Sequence, residues 1–225
     1  MELWPADKRK RLILQAKEVG VFAFLFVVRI RMIYLADALS SLPGQPLHGL
    51  KAFLHSLASV QYGNALVVGV AVFAYPFLSL TRGRLIPRKF LDFLGIWMVV
   101  NLVFHFLKIN LLLFTPTRYP ELLLGQLIAF VVFFVVAWGW IYWRVDCAEY
   151  EGSAGILEVK ERGETLSMFD YMYSSLYAIQ KMGYESNISG STRLGRILVS
   201  IHNFMVLDLV AIGLGRFYQL IKSTL

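Results

Sequence analysis

Apolar residues in this chain come in long unbroken runs rather than the short alternations of a soluble fold. Residues 1–17 are polar and basic and predict an interfacial helix on the cytoplasmic side. The first apolar run extends from about Val19 to Leu39 and encloses Arg29 and Arg31. Others extend from about Leu57 to Leu80, from about Phe90 to Phe114 with His105 and Lys108 inside, and from about Leu122 to Trp143. Each is long enough to cross a hydrocarbon core of ~30 Å as a helix. Trp138, Trp140, Tyr142 and Trp143 crowd the end of the fourth run, where an aromatic belt would lie.

A polar stretch follows, residues 144–166, with six acids and three bases, which suits the non-cytoplasmic side. Then comes a half-apolar segment, Ser167 to Ile179, too short to span but suited to a re-entrant helix. Ser167 and Asp170 start it in a pattern close to a capping box. After it stand Lys181, Met182, Gly183, Tyr184, Glu185 and Ser186, then a Ser/Gly/Thr turn, then a last apolar run from about Ile197 to Ile221. No repeat and no low-complexity tract interrupts this order.

Composition agrees with the runs. The chain has 225 residues, 57% hydrophobic and 16% charged, with a mean hydropathy of +0.60. A soluble domain carries about a quarter charged residues, and one of this size has too much surface to hide several apolar runs. The net charge is +7, but the bases sit at the ends of apolar runs, where they orient a membrane protein rather than bind nucleic acid. Cys147 is the single cysteine, so no intrachain disulfide or cysteine-based zinc cluster can form. The basic run Lys8 to Arg11 is followed by no small-residue cleavage site. No metal, nucleophile–base or phosphate-loop constellation is present, so the expectation is that the chain is not an enzyme and holds no cofactor.

The order of span, acidic loop, half-helix, Gly-Tyr loop and span points to a path. Irregular backbone at membrane depth is tolerated where protein buries it or where it lines water. Such loops around an axis aim carbonyls at a passing ion and replace its hydration shell. One loop cannot enclose a path, so the arrangement implies a closed ring of copies.

The stretch from Phe169 to Ser186 resembles the pore helix and filter of potassium channels. Tyr173 falls on the pore-helix aromatic, Ser175-Leu176 on the Ser-Leu pair, and Gly183-Tyr184 on the first Gly and the Tyr of the filter. Leu194-Gly195-Arg196 is similar to the opening of the family's inner helix, and Gly213 and Gly215 look like its later glycines. The resemblance covers about residues 120–225. It implies a homotetramer in the plasma (cell inner) membrane, with lipid and permeant ions as partners and monovalent ions bound in the pore.

The departures fall in the filter. Lys181 replaces the filter Thr, Met182 the Val, Glu185 the second Gly and Ser186 the Asp. A left-handed residue other than Gly costs roughly 1–2 kcal/mol. Four Lys181 ammoniums facing an axis would repel cations, and a Glu185 ring would partly neutralise them. Alternatively, Lys181 snorkels away from the axis, to a headgroup or to Glu185. Gly183-Tyr184 can also be read as an ordinary turn between helices.

Asp208 lies on one helical face with Ile201, Phe204, Ile212 and Gly215. An ionisable group within a span is a functional candidate; here the reading is a cavity acid, against pairing with His202 or a base on another helix. His105 and Lys108 read as interhelical hydrogen-bonding groups. Arg29 and Arg31 are two residues apart and face different sides, unlike the every-third-residue bases of a voltage sensor. Asn187-Ile188-Ser189 matches a glycosylation acceptor, a pattern that arises easily by chance. Topology holds a conflict. The basic N-terminus and the basic loop Thr81 to Lys89 favour the cytoplasm and the acidic loop the outside, yet four crossings put the N-terminus and the acidic loop on one side. Either the third run dips and returns, or all four cross; full crossing with the pore loop outside is preferred.

The expected fold is an all-α membrane protein with about five transmembrane helices and a re-entrant pore helix. An N-terminal helical module, residues 1–118, precedes a channel-like module, residues 119–225. The expected function is passive ion permeation of open selectivity. Backbone of Lys181 to Tyr184 lines the narrowest stretch, Glu185 forms an outer ring and Asp208 a cavity site. The alternative is a non-conducting channel-like scaffold or receptor subunit. A transporter would show two matching halves with broken helices, and residues 1–118 hold no second Gly-Tyr hairpin.

Overall fold

The computed structural model describes residues 6–41, 67, 69–70, 74–113, 120–147, 155–159 and 166–224. In chain order these form α1 (Ala6–Ser41), α2 (Arg88–Leu113), α3 (Pro120–Asp146), β1 (Leu157–Val159), α4 (Met168–Gln180), β2 (Ile188–Gly190) and α5 (Arg193–Thr224). Among the described residues, three segments are long and apolar enough to cross a membrane: Arg88–Asn110, Leu122–Asp146 and Arg193–Gly215. These fit an integral membrane protein and coincide with the third, fourth and last apolar runs. The first run lies within α1. The second falls largely outside the described residues; 67, 69–70 and 74–81 are helical.

Two expectations change, and one alternative falls away. The N-terminal stretch is not a separate interfacial helix: from Ala6 it continues into the first run as one helix of 36 residues. No proline falls between positions 6 and 41, and the Lys, Arg, Leu, Gln and Ala at its start are good helix formers. The third run does not dip and return, because α2 is one unbroken helix of 26 residues. The fold is also not purely helical. β1 pairs antiparallel with β2, Leu157 opposite Gly190 and Val159 opposite Ile188, inside stretches whose polarity carries no strand pattern.

The chain divides into two compact units, Met1–Leu107 with Pro116–Phe130, and Lys108–Thr115 with Val131–Leu225. In the first unit, side chains of α1 meet α2 and the turn before it in ascending order on both. The Gln15 amide accepts from Ile86 N–H and donates to Ile86 C=O, each at 2.9 Å. Arg88 donates to both Glu18 oxygens at 2.7 and 3.0 Å. The Arg29 guanidinium lies 4.3 Å from the Trp97 ring centroid. The two helices therefore run in the same direction. Gly69 lies close against α1: a Cβ there would sit 2.8 Å from the Phe26 ring.

Arg29 is 1% exposed, and its Nε and Nη1 have no hydrogen-bond partner. An unmade bond at a buried donor costs about 1–3 kcal/mol, whereas a desolvated cation–π contact returns about 2 kcal/mol. Two unmet donors outweigh one stacked ring. Arg29→Met should therefore leave stability equal or raise it, with a thermal midpoint in detergent at or above wild type. A clear drop would show that the guanidinium is compensated by groups other than Trp97.

Candidate functional site: a capped turn seated by two helices

The second unit holds every residue of the filter-like stretch. α4 begins at Ser167, whose N–H and hydroxyl both donate to Asp170 Oδ2, at 2.6 and 2.7 Å. The sequence start signal is thus met by the residues that suggested it. One face of α4 is buried through Met168, Tyr171, Ser174, Ser175 and Ala178. Phe169, Tyr173 and Leu176 on the other face are exposed.

The helix ends in a Schellman cap. Gly183 N–H donates to Ala178 C=O at 2.8 Å and Met182 N–H to Ile179 C=O at 3.0 Å. This six-to-one and five-to-two pair defines the motif, which asks for a left-handed residue just past the helix. That residue is Met182, at φ 53, and Gly183 follows at φ 76. Tyr184 N–H then closes on Lys181 C=O at 3.0 Å. The strained position is Met182 rather than Glu185; among the described residues Met182 alone is a non-glycine with positive φ. Gly183 is demanded twice, since a Cβ would also lie 2.9 Å from Asn203 C=O on α5. Met182→Gly should stabilise the unit by about 1 kcal/mol by removing the left-handed penalty, read as a higher detergent-denaturation midpoint. No gain would mean that the Met182 side chain returns as much in contacts as it costs in backbone strain.

At the tip, Lys181 Nζ is 3.6 Å from Glu185 Oε2 and 5.6 Å from the Tyr177 ring centroid. Tyr177 OH donates to the same Glu185 oxygen at 3.3 Å. Within one chain, then, Lys181 takes the Glu185 pairing that the sequence reading held open. Both side chains are about half exposed, at 48% and 61%. Exposed pairs are worth about 0–1 kcal/mol, so this one is easily exchanged. Tyr184 is 86% exposed.

Below the turn, α4 is fastened to both flanking helices through His202 of α5. Tyr142 OH on α3 lies 2.8 Å from His202 Nδ1, and Ser175 Oγ on α4 lies 3.1 Å from Nε2. A neutral imidazole carries one donor and one acceptor, and each hydroxyl serves as either, so both bonds close in either tautomer. Phe134 stacks on the ring at 5.2 Å and Trp138 lies at 4.8 Å. Trp138, Trp140, Tyr142 and Trp143 are all buried, which corrects the aromatic-belt expectation. Trp138 and Tyr142 wall in His202 rather than facing headgroups. Gly139 lets α4 approach α3, since a Cβ there would fall 2.7 Å from Met172 Cα.

A second buried node ties the loops. Asp146, at the end of α3, accepts from Ile156 and Leu157 N–H at 3.1 Å each and from Tyr171 OH at 2.6 Å. Burial first, and then the bond to Asp146, hold the Tyr171 phenol far above its usual range. Burial likewise pushes the Cys147 thiol up. Gly195 meets Ile156 C=O so closely that any side chain would overlap it; this explains the glycine of Leu194-Gly195-Arg196 by packing. Asn187 is buried and Ser189 lies in β2, a poor setting for a glycosylation acceptor.

Asp208 does not meet His202. Its Oδ2 accepts from Asn110 Nδ2 of α2 at 2.8 Å, and the residue stays half-buried. Its expected face is divided, with Ile201 and Phe204 exposed and Ile212 buried. Sequence reasoning missed Tyr142 and Ser175 as partners of His202, and Asp146 as a hub. A lone polar residue in an apolar run was the available signal. Among the described residues no group of three His, Cys, Asp or Glu could hold a metal ion. No family model, no curated protein and no solved structure matches this chain.

Proposed function

We propose that the chain is the subunit of a potassium-channel-like homotetramer in the plasma (cell inner) membrane, passing ions passively through a non-standard filter. The observation that carries this reading is the seating of α4. A short capped helix, ending in a Gly-containing turn, is fastened through Ser175 and His202 between two membrane-length helices. That is how a loop is held rigidly at membrane depth, where irregular backbone has to be buried or line a path. The faces left over support a ring: Phe169, Tyr173 and Leu176 on α4, and Ile197, Ile201, Phe204 and Leu207 on α5, are apolar and exposed in the single chain. In the ring, Lys181 to Tyr184 form the narrowest stretch, Glu185 an outer ring and Asp208 a cavity acid, with monovalent ions bound along the path and lipid outside.

The capped turn favours a second reading, a non-conducting channel-like subunit. The N–H groups of Met182, Gly183 and Tyr184 are committed to carbonyls of residues 178–181. An extended file of carbonyls would require those bonds to break. Flux from liposomes loaded with potassium, sodium or choline chloride separates the readings. The channel reading expects leak above empty liposomes, changed in selectivity or rate by Lys181→Thr with Glu185→Gly. No leak sinks conduction; leak indifferent to the double variant removes Lys181 to Ser186 as the filter.

A further inference from the structure

We infer that two basic clusters far apart in sequence form one docking surface for anionic lipid headgroups at one end of the first unit. Arg9, Lys10, Arg11 and Lys17 stand exposed on the first turns of α1. Arg82, Arg84 and Lys89 stand exposed on the turn into α2. Sequence alone makes these two separate runs. The structure joins them through the two-bond clasp of Gln15 on Ile86 and the fork of Arg88 on Glu18. Arg9 is six residues from Gln15, about 9 Å along the helix, and Arg82 is four residues from Ile86.

Charge accounting at this end is one-sided. Glu18 is buried against Arg88, and Asp92 also receives Arg88, at 3.1 Å. One arginine thus engages Glu18 and Asp92, which with Asp7 makes three acids in these segments against seven exposed bases. Clusters of four to eight bases beside a membrane helix attract anionic headgroups, each base contributing up to about fivefold in association. Ile13 and Leu85 stand exposed among them, at 50% and 39%. Apolar side chains within a basic surface suit the boundary between headgroups and acyl chains, which is why the occupant is a lipid rather than a free anion or a nucleic acid.

The test uses the full chain in phosphatidylcholine vesicles with trace spin-labelled phosphatidylglycerol, or spin-labelled phosphatidylcholine as reference. The motionally restricted fraction reports association. Phosphatidylglycerol should be preferred, and the preference should fall at least about threefold in R9Q/K10Q/R11Q and similarly in R82Q/R84Q. Because the site is shared, combining both sets should lose less than the product of the two. Gln15→Leu, which removes the clasp but no charge, should lower the preference as well. Product-like combination with an unaffected Gln15→Leu means two independent clusters and overturns the proposal. So does an unchanged preference in both charge variants. Inorganic phosphate that erases the preference, at ionic strength matched with chloride, would mark a free-anion site instead.

Discussion

Asp146→Ala is expected to cost the second unit on the order of 3–5 kcal/mol, since each buried donor left unsatisfied costs about 1–3 kcal/mol. The substitution strands three donors at once: Ile156 N–H, Leu157 N–H and Tyr171 OH. All three serve architecture. Two hold β1 against the end of α3, and the third fixes the rotation of α4, so the filter-like turn should loosen together with the strand pair. Asp146→Asn should cost much less. Its oxygen still accepts from the two amides, and the Tyr171 hydroxyl can turn to accept from the new amide. Unfolding in mixed micelles of increasing dodecyl sulfate measures the series. Equal losses in Ala and Asn would mean that the carboxylate charge, not its hydrogen bonds, is what the site requires.

The same node fixes an alkaline limit. The folded state keeps Tyr171 protonated to a higher pH than the unfolded chain does. Its contribution is therefore complete below about 10, the ordinary phenol value, and is lost progressively above it. Tyr171→Phe should be less stable than wild type at neutral pH, and the gap should narrow as pH climbs through the alkaline range. A gap that stays constant with pH would separate the phenol proton from stability.

Gly195→Ala is expected to be among the most damaging single methyls at the described positions, alongside Gly190→Ala, whose Cβ would run into the Arg196 backbone. The new Cβ at position 195 would run into Ile156 C=O and come within 3.0 Å of Gly190 Cα. Both obstacles are backbone, so relief means parting the start of α5 from the β1–β2 pair. Overpacking of this kind costs about 1–3 kcal/mol, occasionally more, and the upper end applies because no side chain can turn away. Gly20→Ala and Gly125→Ala are the matched controls. Both positions lie within helices with nothing within 4 Å of the added Cβ. Alanine there should add roughly 0.5–1 kcal/mol, the usual gain over glycine in a helix. Unfolding midpoints should fall for the first variant and rise for the other two. A Gly195→Ala protein as stable as wild type would mean that the strand pair moves freely and does not hold the turn.

Much of the architecture was legible because it is local. Membrane-length helices follow from runs of apolar residues, and α2, α3 and α5 lie where those runs lie. α4 was legible to within one residue at each end, since its Ser167–Asp170 start is a contact between near neighbours. The filter-like turn was half legible. Gly183 marks the break, but the backbone choice at Met182 is made by hydrogen bonds to α4 carbonyls, and residue type argues against it.

What the sequence by itself determined is therefore the membrane class, the main helices and the short capped helix before Gly183-Tyr184, all set by contacts within a turn or by the length of an apolar run. Only the tertiary structure decided what the buried polar residues do. Tyr142 finds His202 across 60 positions and Gln15 finds Ile86 across 71. In an apolar interior each such group must be matched or its desolvation is uncompensated, yet nothing local to it says with whom. The capped turn shows both sources: its place comes from Gly183, and its seat comes from a histidine whose partners are visible only once α3, α4 and α5 are packed together.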